Sequence, residues 1–229
     1  KLLGTTPVSG EVLPEAVGFD GESDILRRTS DFSPSIGSHK TFTFSCWFYK
    51  GNTSGQFILY QSYYSTGFKV AIEGTGQLSI VAIGSSTALN VETSAYTIPI
   101  RTWNHILISM DLTNASNRHV YINDKALSVT YNSYANTNIP FGQSNHGVGC
   151  STTGSARADG RMAHLYLDTT YRDLSTVSNR RLFIDADGKP SKTIPANPPL
   201  YLKMKNADTA GTNSGTGGDF TIFGVMHTA

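Results

Sequence analysis

The segment Thr41-Phe-Thr-Phe-Ser-Cys-Trp-Phe-Tyr49 limits what this chain can fold into more than any other stretch. Alternate residues of a strand point to opposite faces, so Phe42, Phe44, Cys46 and Phe48 share one side, and so apolar a side belongs on a core. Trp47 and Tyr49 stand on the opposite side, which implies that this face is covered too or presents aromatics to a ligand.

Helical periodicity is almost absent from the rest. Short apolar or alternating runs recur between clusters of Gly, Ser, Thr and Asn, and they predict further strands at Phe57–Gln61, Gly67–Glu73, Gln77–Ile83, Trp103–Asp111, His119–Ile122, Arg161–Asp168, Leu200–Lys205 and Asp219–Val225. Glu73-Gly74-Thr75-Gly76, Thr113–Asn117 and Asn123-Asp124 carry turn chemistry, the last with residue types that tolerate positive φ. So many short strands predict an all-β, two-sheet antiparallel sandwich. One short helix is expected over Ser175–Phe183, capped by Ser175, with Val177, Leu182 and Phe183 as its apolar stripe and Arg180 and Arg181 near its C-terminal end. The Pro-rich 189–199 and Gly-rich 208–218 segments read as a connector and a loop. The strands after them are too small to stand alone, so residues 15–229 read as one domain behind an N-terminal extension of residues 1–14. The chain opens Lys1-Leu2-Leu3-Gly4 without Met, so its start is expected to be processed, trimmed or cut from a longer chain, and Leu2-Leu3 is too short for the apolar region of a signal peptide.

Charged residues are only 15% of the 229, and Lys+Arg 18 against Asp+Glu 17 gives a net charge of +1. That balance argues against nucleic acid or an anionic membrane as partner. No stretch approaches about 18 uninterrupted apolar residues, so no membrane insertion is expected. The deficit of charge is filled by 25 Ser, 26 Thr, 14 Asn and 22 Gly, the composition of a turn-rich polar surface.

The motifs that would carry enzyme chemistry are missing. There is no Gly-x-Ser-x-Gly elbow and no Gly-x-x-x-x-Gly-Lys-Ser/Thr loop. The six histidines lack the close spacing of zinc ligands, and His105 and His164 read as structural. Cys46 and Cys150 are expected as buried free thiols. Calcium is the one cofactor the loops suggest, with Asp20, Asp24, Asp185 and Asp187 as oxygen donors, although Asp185-x-Asp187-Gly188 has no downstream glutamate and turn stabilisation is the default role.

The block Arg101-Thr-Trp-Asn-His-Ile-Leu-Ile-Ser-Met-Asp111 followed by His119-Val-Tyr-Ile-Asn-Asp124 resembles the central strands of laminin-G-like, concanavalin A-like jelly rolls. Phe42–Phe48 and Gly160–Asp168 are similar to an earlier and a later strand of the same family. The ending, Leu182–Pro190, Leu200-Tyr-Leu and Gly211–Ile222, resembles the tail of such domains in bacteriophage virion proteins. The resemblance implies a jelly roll of two curved sheets whose face or end loops bind carbohydrate or protein, in some members with calcium. Glucanases of that superfold carry Glu-x-Asp-x-x-Glu; here Glu22-Ser-Asp24 is followed by Arg27 where the second Glu belongs, so no enzyme is expected.

The expected function is therefore a lectin-like module on a virion, binding host-surface carbohydrate or other virion proteins, with itself among those partners. The alternatives are a purely architectural capsid or tail decoration, or an extracellular bacterial adhesin. Sugars offer an apolar face and hydroxyls, so two aromatic, amide-rich loops are the candidate sites: Tyr60, Tyr63 and Tyr64, and Tyr131, Asn132, Tyr134 and Asn136. The competing reading has these tyrosines covering sheet edges with their hydroxyls bonded.

Overall fold

The computed structural model describes residues 14–52, 54–62, 65–95 and 97–229. Two eight-stranded antiparallel sheets carry nearly all of it, with strands numbered in chain order. The first sheet runs β11 (Lys125–Ala126), β10 (Arg118–Ile122), β9 (Trp103–Asp111), β4 (Thr41–Lys50), β15 (Asp159–Asp168), β1 (Val17–Asp20) and β18 (His227–Thr228), and β16 (Leu200–Leu202) also pairs with β15. The second runs β12 (Thr130–Tyr134), β8 (Thr87–Glu92), β7 (Leu78–Ile83), β6 (Gly67–Ile72), β5 (Phe57–Ser62), β14 (His146–Val148), β2 (Ile25–Arg28) and β17 (Thr221–Phe223). A small ribbon pairs β13 (Ile139–Pro140) with β3 (Ser38–His39). Of the extension 1–14, only Pro14 lies among the described residues.

The core forms where the two sheets face each other. Phe42, Phe44, Cys46 and Phe48 of β4 are fully buried, as their alternation requires, and meet Phe68, Val70 and Ile72 of β6 and Leu78, Ile80 and Ala82 of β7. Phe68 is the hub: Phe42 and Phe141 pack edge-on against it with centroids 4.9 and 5.2 Å away. The tail supplies a strand to each sheet, β16 beside β15 and β17 beside β2, so the C-terminal residues close the sandwich. The Asn123-Asp124 hairpin takes positive φ at both residues, 50° and 63°, the twist that suits a two-residue turn.

The outer faces of the two sheets differ. On the first, Trp47 stacks on His105 with centroids 4.8 Å apart, and Tyr166, Leu107 and Tyr201 are roofed by Leu174 and Phe183. A bulge at Ala163–His164, with His164 at φ 51°, turns Leu165 and Leu167 inward and Tyr166 outward. The roof is mostly turn. The helix expected over Ser175–Phe183 is only Val177–Arg180, its N-cap is Thr176 without a side-chain bond, and Ser175 is instead held by Asp173 Oδ1. The reason lies in the apolar stripe: Val177 is 50% exposed, while Phe183 is buried against Tyr166, so one short helix face cannot serve both. Arg180 and Arg181 anchor the segment through the two carboxylate oxygens of Asp124, at 2.6 and 2.8 Å. Among the described residues no such roof covers β7 and β8, whose outward residues Ser79, Val81, Ile83, Asn90 and Glu92 are part-exposed; on β6 Lys69 is part-exposed as well, while Ala71 is buried.

Candidate functional site: a groove on the open sheet

Pairing places Lys69 beside Val81 and Val81 beside Asn90 on that open face, with Ala71 beside Ser79 and Ser79 beside Glu92 in the next row. Two cavities lie side by side along β7. The smaller, of about 230 Å³, is lined by Gln61, Ser65, Thr66, Lys69, Val81 and Ile83. The larger, of about 450 Å³, is lined by Ser54, Gly55, Glu73, Thr75, Gln77, Ser79 and Glu92. The smaller has an apolar floor at Val81 and Ile83 beside one ammonium, and the larger is lined by hydroxyls, an amide and two carboxylates; they adjoin at Val81 and Ser79 on the outward face of β7, and we call the pair the groove.

Local sequence fixes the walls. Gly67 turns back from Ser62 at φ 134°, where an added Cβ would lie 1.9 Å from the Ser62 carbonyl oxygen, so only glycine closes this turn. Gly76, at φ 73°, donates its N–H to Glu73 O and passes under Ile98 O, which shapes the loop at the other end. The wall at Ser54 and Gly55 is held from beneath by Lys50, whose buried Nζ donates to Asn52 Oδ1 and to the carbonyls of Ser54 and Gly55 at 3.1, 3.3 and 3.0 Å. Burial lowers the Lys50 pKa from its ordinary value, with Asp159 and Glu73 opposing that shift.

The carboxylates are oriented by amides. Gln56 Nε2 donates to Glu73 Oε1 at 2.8 Å, and Glu92 receives Gln77 Nε2 at 3.4 Å and Asn132 Nδ2 at 2.9 Å. These residues present acceptors and donors at fixed positions next to the apolar patch of Val81 and Ile83, a combination that suits a sugar with an apolar ring face and hydroxyls on its rim.

The residues expected from sequence are dispersed. Tyr60 is fully buried, its hydroxyl 2.9 Å from His146 Nδ1, so it offers no face to a ligand; a bulge between Ile58 and Tyr60 turns it into the core. Tyr63 and Tyr64 lie outside the described residues. Tyr131 and Tyr134 come together edge-on at 5.7 Å, but Arg118 covers Tyr131 at 4.2 Å and the Tyr134 hydroxyl donates to Asp111 O. This pair faces the gap between the two sheets' edges, beside a separate cavity of about 280 Å³. Asn132 belongs instead to the groove through Glu92, and Asn136 is exposed beyond the end of β12.

The aspartates named as oxygen donors for calcium are engaged in turns. Burial pushes Asp20 up, yet the N–H groups of Asp24, Ser23 and Glu22 and the Ser23 hydroxyl outweigh it and hold the carboxylate well below its usual range. Asp24 is buried beside it and shifted upward by that burial and by Asp20. Asp185 Oδ1 accepts from Asp187 N and Lys189 N in a different turn. These oxygens already close turns, and no cluster of three or more His, Cys, Asp or Glu suited to a metal ion exists among the described residues.

What the sequence missed is the groove itself: Lys69, Glu73, Gln77, Ser79, Val81 and Glu92. One signal was present. Leu78–Ile83 is apolar at Val81 and Ile83 as well as at Leu78, Ile80 and Ala82, so its second face is not a plain solvated one.

A laminin-G model of the concanavalin A-like lectin/glucanases superfamily matches residues 26–172. The chain belongs to that superfamily. Its jelly roll is similar to the native heptameric SAP-like pentraxin of Limulus polyphemus, at a TM-score of 0.60 and 11% identity over 96% of this chain and 97% of that one. It is similar to a Bacteroides ovatus protein proposed to bind carbohydrate, at 0.60 and 14% over 98% of this chain and 65% of that one. It also resembles the CBM40 domain of Ruminococcus gnavus IT-sialidase bound to α2,3-sialyllactose, at 0.51 and 10% over 72% of this chain and 96% of that one. Identities this low establish a shared lectin-type fold. No curated protein sequence matches the chain. No helix among the described residues is long and apolar enough to cross a membrane.

Proposed function

We propose that this concanavalin A-like domain is a non-catalytic carbohydrate-binding module, and that its ligand lies in the groove along β7. The observation that carries this reading is the pair of neighbouring cavities along β7, one lined by Lys69, Val81 and Ile83 and the other by Glu73, Gln77, Ser79 and Glu92. One of the similar folds is bound to α2,3-sialyllactose and another is proposed to bind carbohydrate, which supports the same reading. Arg27 in place of the second glutamate of the glucanase motif, and Asp24 buried in a turn, support binding without cleavage. The resemblance of Leu182–Pro190 and Gly211–Ile222 to phage proteins supports presentation on a virion, facing host glycans.

A glycan array with the whole chain, with and without chelator, tests this. Ser79→Trp fills the groove and Val81→Asp places a charge on its floor; each should abolish saturable binding while the thermal midpoint stays close to wild type. Binding that survives both substitutions would move the site elsewhere. An absence of binding to every glycan would favour the architectural alternative, which the exposure of Phe223 (45%) in the edge strand β17 and of Val225 (75%) just after it supports.

A further inference from the structure

The charges of the groove are segregated. Lys69 projects into the smaller cavity with Gln61, Ser65 and Thr66, over Val81, and it makes no ion pair among the described residues. Glu73 and Glu92 line the larger cavity, bonded to amides and without an ion pair among the described residues. Lys69 and Glu73 both lie along β6 and its following turn, four residues and so about 13 Å apart at the rise of a strand. That separation suits a short oligosaccharide better than a single sugar.

An ammonium in a cavity with low-dielectric walls attracts an anion more strongly than one in open water, and two carboxylates repel it. The neighbouring hydroxyls of Ser65 and Thr66 are the donors that would complete an oxyanion's hydrogen bonds. We infer that the groove selects anionic saccharides and fixes their direction: a sugar bearing a carboxylate or sulfate ester seats against Lys69, and neutral, hydroxyl-rich sugars extend toward Glu73 and Glu92. This rests on the groove being the glycan site. It adds a ligand class and an orientation to that reading.

The test uses matched oligosaccharide pairs: uronic-acid oligosaccharides against their carboxyl-reduced forms, and sulfated against desulfated forms, titrated at low and high salt. The wild-type chain should bind an acidic member at least about tenfold more tightly than its neutral twin, a difference of about 1.4 kcal/mol, and salt should narrow the gap. Lys69→Met keeps the aliphatic stem and should erase the preference, bringing the acidic member to the affinity of its neutral twin. The carboxylate and sulfate arms show which anion is read. Equal affinity within every pair, or a preference that persists in Lys69→Met, would overturn the inference while leaving the glycan site intact. No binding by any member, acidic or neutral, would remove both.

Discussion

The Tyr60 hydroxyl lies 2.9 Å from Nδ1 of His146, and neither side chain reaches solvent. The pair ties β5 to β14 within the sandwich, and Phe32 packs its ring 4.4 Å from the imidazole. Tyr60→Phe leaves Nδ1 buried without its partner, which costs about 1–3 kcal/mol. The expected result is a lower thermal midpoint with glycan affinity unchanged. A loss of affinity at wild-type stability would return Tyr60 to the binding site.

Acid should weaken the fold through its buried histidines. Burial pushes His105 down to about 3 and His146 down to about 4, against about 6.5 for an unfolded histidine. Between those values the unfolded chain binds more protons than the folded one, so stability is full above pH 6.5 and falls as pH drops toward 4. Each histidine contributes about 1.4 kcal/mol of loss per pH unit in that window. Asp111, held low chiefly by the Thr113 hydroxyl, adds its loss only below the ordinary carboxylate range. Asp24 acts in the opposite sense, since burial and Asp20 raise it, and protonating it relieves that cost. Denaturant titrations at pH 7, 6 and 5 check this; equal midpoints would contradict it.

Both thiols should be inert in the native state. Cys46 and Cys150 are free and buried, and burial pushes the Cys150 thiol up to about 11 and Cys46 higher still. A thiol reagent at pH 8 should modify neither on the minutes scale and both in denaturant. Prompt labelling of either without denaturant would show that its surroundings open.

The edge tyrosines should separate from binding. Arg118 of β10 lies over Tyr131 and Tyr134 of β12 at 4.2 and 5.4 Å, so the cluster fastens the edge of one sheet to the edge of the other. Tyr134→Phe removes the bond to Asp111 O and should cost about 1 kcal/mol of stability with no change in binding. Asn132→Ala should do the reverse: little change in stability, and weaker binding through a misplaced Glu92.

The fold was legible because its signals are local. Alternation in Phe42–Phe48 identified the core face of β4, and Asn123-Asp124 identified its hairpin, without knowledge of any partner strand. Tyr60 and Tyr166 were not legible in this way, because a bulge upstream of each changes the face on which it lands, and a bulge leaves no fixed mark in sequence. The groove was hidden for a further reason. Lys69, Ser79 and Glu92 come from three strands, and their placement on one face is set by strand register, which no local pattern announces. Asn132 was found for its amide, but its role depends on Glu92 across the strand pair.

Backbone-amide NMR of the whole chain, titrated with the oligosaccharide that an array returns as tightest, tests the central claim most directly. The account predicts that the shifts concentrate at Lys69, Ala71, Ser79, Val81 and Glu92, along the open face of β6, β7 and β8. Shifts confined to the Arg118–Tyr131–Tyr134 edge, with the groove silent, would contradict it.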